Sequence, residues 1–168
     1  MDIFELIKTR RSIRKFTEEP VSDGIIDRII EAGTWAPSGL NNQPWKFAVV
    51  RDKELRAKIA ALTRYSRTIL SANILIAVFL DNSLSYDRTK DCQGIGASIQ
   101  NMLLTIHSLG LGAVWLGEIL KNKDRVRKVL VEDLTDLELM AVIALGHPAE
   151  KGGKGMRHDF RDTIVFRG

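Results

Sequence analysis

Four cations and a hydroxyl fall within seven residues in Arg10-Arg11-Ser12-Ile13-Arg14-Lys15-Phe16. Guanidinium groups present rigid forks of donors that match phosphate oxygens, whereas a lysine acts more like a point charge. Three arginines out of four cations therefore suit a phosphorylated ligand. A solvated basic patch accounts for this segment equally well when it is read alone. A second stretch, Ala36-Pro37-Ser38-Gly39-Leu40-Asn41-Asn42-Gln43-Pro44-Trp45, brings amides, a hydroxyl and a glycine turn to the start of an apolar run. Such groups can hold the hydrogen-bonding edges of a planar ring. By itself it is a polar loop.

Other chemistries fail on spacing. Gly94 and Gly96 begin a G-x-G, but Ile99 occupies the third glycine position and no strand precedes it. Gly110 and Gly112 follow a helix, with Trp115 where the last glycine should stand, so neither is a dinucleotide-binding turn. With Ala97 and Ser98, the glycine pair instead lets a flat group or another backbone approach a helix closely. His107, His147 and His158 lie in three separate contexts, and no pair of ligands has metal spacing. Ser38 lacks both a G-x-S-x-G elbow and an identifiable base. Cys92 is the only cysteine, which excludes an internal disulfide and fits a reducing compartment.

These segments need elements to position them. Ile3, Phe4, Leu6 and Ile7 mark a first helix, and Ile25, Ile26, Ile29 and Ile30 a second, introduced by Pro20 and Ser22. The basic segment connects the two. Thr34 to Pro44 is a loop, Trp45 to Val50 a buried strand, and Glu54 to Leu62 a helix. The continuous apolar run Ile74 to Leu80 predicts a strand covered on both faces. Ile95, Ile99, Met102, Leu103, Ile106 and Leu109 trace the longest helix, from about Asp91, with Gly110 as a left-handed terminator. Ala113 to Leu116 and Leu137 to Leu145 are strands, with a helix at Asp124 to Leu130 between them. Without a regular βαβ order, the chain reads as a three-layer α+β domain, its central sheet mixed and flanked by helices.

Length and composition agree. At 168 residues and 45% hydrophobic content the chain accommodates one domain, 1–168, and one ligand site. A net charge of +4 favours anionic partners without choosing among nucleic acid, membrane and small molecules. No signal-peptide pattern or membrane-spanning run is evident, so a soluble cytoplasmic protein is expected, with no membrane partner. Beyond His147, three glycines and four Lys or Arg residues precede the apolar patch Ile164-Val165-Phe166. This tail, 150–168, either frays or lies on a partner subunit.

Taken in order, the RRSIRKF segment, the PSGLN loop, the DCQGIGASIQNMLLTIHSLGLG helix and the AVWLGE strand end resemble the nitroreductase family. The likeness is to its short, single-domain FMN-dependent members and runs from Ile3 to about His147. The resemblance implies an enzyme: an NAD(P)H oxidoreductase that passes hydride through flavin N5 to a small organic acceptor by a ping-pong cycle. It implies that Arg10 and Ser12 grip the FMN phosphate, that Arg14 reaches the ribityl chain or the N1/O2 edge, and that Arg11 lends mainly its backbone. Pro37, Ser38, Gly39 and Asn41 correspond to the stretch that reaches the flavin of the opposite subunit in a homodimer. Leu116, Gly117 and Glu118 match the strand end over the ring, with the Gly117 N–H facing N5. Lys154 and Arg157 are similar to a C-terminal basic pair at the phosphate, although this tail lacks the usual prolines. From Tyr65 to Thr68, where larger relatives put an asparagine and a lysine on the ring edge, Arg67 is the cation present and its role is open. Trp115 reads as core, with Tyr86 the other aromatic that could line an acceptor pocket. Two further readings differ in class: a flavin carrier or sensor without turnover, and a basic module that binds nucleic acid and would carry no chromophore.

Overall fold

The computed structural model describes residues 2–168. Four strands form one sheet in the order β1-β2-β4-β3, comprising β1 (Trp45–Val50), β2 (Ile74–Asp81), β3 (Gly112–Leu116) and β4 (Leu137–Gly146). Around it lie α1 (Ile3–Thr9), α2 (Asp23–Thr34), α3 (Lys53–Ala60), α4 (Ser66–Ser71), α5 (Arg88–Ser108) and α6 (Lys123–Val131).

The side-chain alternation of β2 divides the core in two. Ile74, Ile76, Val78 and Leu80 join residues of α2 and α5, while Leu75, Ala77 and Phe79 join residues of α3, α4 and α6. All eight residues of β2 are buried, as expected of a strand covered on both faces. The result is the three-layer α+β arrangement. A one-residue register shift between Val78 and Phe79, which leaves Met140 unopposed, changes which parity of β4 faces which layer. Leu137 and Leu139 face the α3/α6 side, whereas Ala141, Ile143 and Leu145 face α5.

Two features differ from the sequence reading. The sheet is antiparallel at every strand pair, and its parallel component is a single bridge between Ser12 and Ala113. The incoming segment touches β3 there and then turns to pair Phe16 with Pro148, so no parallel ladder develops. β1 occupies the sheet edge and is only partly covered, with Lys46 and Val49 exposed, instead of being a buried strand. Its apolar run is real, but the strand order leaves it one neighbour. The short helix α4 had no clear period in the sequence.

α5 is the long element that spans the site. Asp87 caps its first turn through Lys90 N. Gly110, at φ +76°, ends it as a left-handed terminator, with Leu111 N donating to Ile106 O. α1 buries none of its side chains, leaving Ile3, Phe4 and Ile7 exposed. Residues 151–168 are exposed throughout and form no strand; a short 3-10 turn covers Phe160–Thr163. No helix among the described residues is long and apolar enough to cross a membrane.

Candidate functional site

The basic segment is held by its two apolar members. Ile13 and Phe16 are buried, Ile13 N donates to Ala113 O, and Thr17 N donates to His147 O. This anchoring presents the intervening cations outward. Arg10, Arg11, His107 and Gly152 line a cavity of about 400 Å³ between the end of α1, the last turns of α5 and the start of the tail. The Arg10 guanidinium forms no ion pair among the described residues; Glu150, the acid that also lines this cavity, accepts instead from Arg14 N at 2.8 Å. Burial lowers its pKa, and the neighbouring charges of Arg157 and Arg11 lower it further. Unrelieved positive charge in a half-buried cavity favours an anion. His107 is held below the ordinary histidine range by burial and by the charges of Arg10 and Arg11, and its Nε2 lies 3.0 Å from Thr9 Oγ1.

The arginines have separate tasks. Arg11 spends its guanidinium on backbone, donating from Nε to Gly153 O (3.0 Å) and from Nη1 to Lys8 O (2.7 Å) and Arg10 O (2.8 Å). It fastens the tail to the end of α1. Arg157 and Lys154 are both exposed and neither lines the Arg10 cavity, but Arg157 comes within electrostatic range of Arg10. Ser12 is half-buried at its bridge to Ala113.

β3 provides the second part. Ala113 turns its carbonyl toward Ile13, so by strand alternation Trp115 directs its backbone groups to the same outer edge; Gly117, just past the strand end, is in the helical region and its carbonyl accepts from Leu120 N. A side chain added at Gly117 would meet nothing within 4 Å. This open edge borders a cavity of about 260 Å³ with Arg14, Arg64, Tyr65, Trp115, Leu116 and Glu118. Trp115 is 43% exposed here and is therefore not the core residue expected from sequence. The cation that joins Arg14 is Arg64; Arg67 lies exposed on α4 and does not line this cavity. Glu118 accepts from Thr63 Oγ1 (2.5 Å) and Arg64 N (3.4 Å) and pairs with Lys121. Those bonds, led by Lys121 and Thr63, hold its carboxyl below the usual range, and they fix the Thr63–Tyr65 turn.

The PSGLN loop lies elsewhere. Leu40, Asn41 and Gln43 all have positive φ (53°, 55° and 47°), a strained run for residues with side chains. Ser38 Oγ accepts from Gln43 N at 3.0 Å, and Asn42 Nδ2 donates to Leu84 O at 3.1 Å and to Asp91 Oδ1 at 2.8 Å. Asp91 is fully buried and also accepts from Ser85 Oγ (2.6 Å) and from the backbone of Tyr86 and Asp87. Pro37, Ser38 and Gly39 border a cavity with Gly94 and Ala97. A Cβ on Gly94 would sit 3.4 Å from Pro37 O, so this glycine admits the loop backbone, as its place in the sequence suggested. Gly96, its neighbour, faces open space. Tyr86 packs its hydroxyl over Gly39 and not beside Trp115.

One chain thus brings Arg10, Arg11 and Arg157 together at one end of α5, and Arg14, Leu116, Gly117 and Glu118 along the β3 edge. It does not bring Pro37, Ser38, Gly39 and Asn41 to them. The 13 residues from Gly94 to His107 span about 20 Å of helix. Arg64, His107 and Asp91 were missed by sequence reasoning. Arg64 had no signal beyond charge, and His107 sat among apolar neighbours. Asp91, four residues past the helix cap, could have been read as a carboxylate for the preceding loop.

Known proteins of this kind can now be compared. The nitroreductase family profile matches residues 7–66 and 61–147. A protein named as an NADH dehydrogenase/NAD(P)H nitroreductase in Methanothermobacter thermautotrophicus is 40% identical over 155 residues, 91% of this chain and 81% of that one. The crystal structure of a nitroreductase in complex with FMN from Desulfovibrio desulfuricans superposes with a TM-score of 0.94. It is 44% identical and covers 100% of this chain and 98% of its own. The NADPH:FMN oxidoreductase of Vibrio harveyi, complexed with NAD+, has a TM-score of 0.88 at 25% identity, covering 98% of this chain and 76% of its own. Two independent likenesses, in sequence and in fold, agree with the site's geometry, and the chain belongs to the nitroreductase family.

Proposed function

We propose that this protein is an FMN-dependent oxidoreductase that takes reducing equivalents from NADH or NADPH and delivers them to a small organic acceptor, such as a nitroaromatic or a quinone. The observation that carries this reading is Arg10: a half-buried guanidinium without an ion pair, crowded by Arg157 and Arg11, lining a cavity of about 400 Å³ that can admit a phosphate group. FMN, when bound, supplies the redox chemistry, taking hydride at N5 and passing it on in a ping-pong cycle. The chain supplies the rest. Arg10, Ser12 and Arg157 hold the phosphate, and the charge of Arg14 favours electron density at the N1/O2 edge. Gly117 offers its N–H and an open face, so the ring can lie flat against the strand end. No acid–base dyad is required, since stacking and an accessible ring face do most of the work.

The active unit in this reading is a homodimer. In it, Pro37, Ser38, Gly39 and Asn41, about 20 Å of helix away from the Arg10 cavity within one chain, serve the partner's flavin. The exposed tail, 150–168, then extends onto the partner, where Val165 and Phe166 find cover. The lone free thiol, Cys92, suits a reducing cytoplasm.

The test is spectroscopic. Purified protein should be yellow or take up added FMN, and anaerobic NADH or NADPH should bleach the flavin band. A flavin band that persists with both donors would favour a carrier or sensor, and a colourless protein that rejects FMN would refute the proposal. Arg10→Ala should weaken FMN binding roughly 100-fold through loss of charged hydrogen bonds, and Lys15→Ala by about threefold or less, because Lys15 is exposed. Equal loss in both variants would contradict the phosphate assignment.

A further inference from the structure

A cavity of about 560 Å³ opens between the chain just past the basic segment, the start of α3 and the junction of α4 with β2. It shares no lining residue with the Arg10 cavity or with the cavity at the β3 edge. Three cations border it: Arg51, Lys53 and Arg56. Arg51 is engaged, donating from Nη1 to Val21 O (2.9 Å) and from Nη2 to Asp23 Oδ1 (2.6 Å). Lys53 and Arg56 form no ion pair among the described residues, and neither does Glu18, the single acid on the lining, which is exposed. Arg56 stands where an apolar residue would suit the helix. It shares the buried stripe of α3 with Ile59 and Ala60 and is only 8% exposed. Its Nη1 donates to Ala72 O, the carbonyl that follows α4, while Nε is buried without an acceptor and Nη2 meets none among the described residues. A guanidinium withdrawn from water needs several acceptors or an opposite charge to replace its hydration, and one carbonyl does not supply them.

We infer that this cavity is a second anion site, separate from the Arg10 cavity, and that it takes a phosphate group, free or carried on a small organic molecule. The planar fork of Arg56 supplies directed donors from the wall, and the Lys53 ammonium supplies a mobile point charge at the mouth. The anion completes the missing partners of a buried charge. None of the residues assigned above to the flavin takes part, so the site stands independently of the redox reaction.

Inorganic phosphate and ribose 5-phosphate, titrated at constant ionic strength into the FMN-loaded protein and followed by amide NMR, test it. Bound FMN keeps the Arg10 cavity filled. Both ligands should shift the amides of Lys53, Ala72 and Asn73 saturably, and chloride should not. Tighter binding of ribose 5-phosphate assigns the site to an organic phosphate, and equal or weaker binding assigns it to the free ion. Arg56→Gln should weaken phosphate roughly 100-fold, the scale of a buried charged donor set, and Lys53→Ala about fivefold, because Lys53 is exposed. Lys58→Ala, an exposed cation of α3 outside the cavity, should leave the affinity within about twofold. Lys53→Ala reads the site even where Arg56→Gln impairs folding. Absence of saturable shifts at these amides, or phosphate affinity unchanged in Lys53→Ala, overturns the inference. So does a folded Arg56→Gln that binds phosphate as the unaltered protein does, since Arg56 would then serve only to tie α3 to Ala72. Protein that rejects FMN overturns the function proposed above and not this site, which the same titration of Arg10→Ala then reads.

Discussion

His107 and Arg10 respond to the same field. Burial and the charges of Arg10 and Arg11 keep the imidazole neutral to lower pH than in an unfolded chain. Between its lowered folded value and the ordinary value near 6.5, the unfolded state binds the extra proton, so stability rises with pH across that window. The ligand-free protein should lose stability as pH falls from about 7, and His107→Gln should flatten that slope in thermal melts taken at several pH values. A phosphate anion reverses the local field. FMN or inorganic phosphate should therefore move the His107 titration upward when it is followed by NMR, and an unchanged titration would place the anion elsewhere. The clustering of cations around Arg10 was legible in the sequence. The sequence could not show that Arg11 spends its guanidinium on carbonyls, because the tail that supplies one of them is 142 residues away.

At the scale of elements, the loop before β1 and the start of α5 form one unit. Three positive-φ residues persist in this loop because bonds from Ser38 and Asp91 hold it in place. Burial pushes the Asp91 carboxyl up, but hydrogen bonds from Ser85, Asn42 and the backbone of Asp87 and Tyr86 outweigh it and leave the pKa below the ordinary value. The stabilisation this lends is complete above the unfolded value near 4 and is lost only as pH falls through the lower folded value. Asp91→Asn replaces an acceptor of four bonds with a group that must also donate. It should cost about 3 kcal/mol, or roughly 10 °C in Tm, by calorimetry. The strand and helix positions were readable because β2, α2 and α5 carry unbroken apolar periods. α4 and the edge position of β1 were not, since the first is too short for a period and the second depends on strand order.

The whole molecule is marked by what one chain leaves exposed: the apolar face of α1, Trp35 and Leu40 near the loop, and Val165 and Phe166 in the tail. Apolar surface of this extent favours association. Sedimentation should give twice the mass of one chain, with FMN released as the dimer is diluted to monomer. Removal of residues 150–168 should lower both dimer affinity and FMN affinity, since the charge of Arg157 near Arg10 is lost and the covered surface shrinks. A truncated chain that remains dimeric and retains FMN would contradict the exchanged tail.

Residue types and periods in the sequence determined the apolar layers, the long helix with its glycine stop, the cationic segment and the family likeness, because each depends on neighbours within a few positions. The tertiary structure alone decided which arginine lines a half-buried cavity without an ion pair, that Arg64 and not Arg67 borders the β3 edge, that Trp115 is exposed, and that one chain separates its loop from the Arg10 cavity. Those outcomes depend on strand order and on contacts between distant segments, where a side chain's role is set by what the fold places beside it.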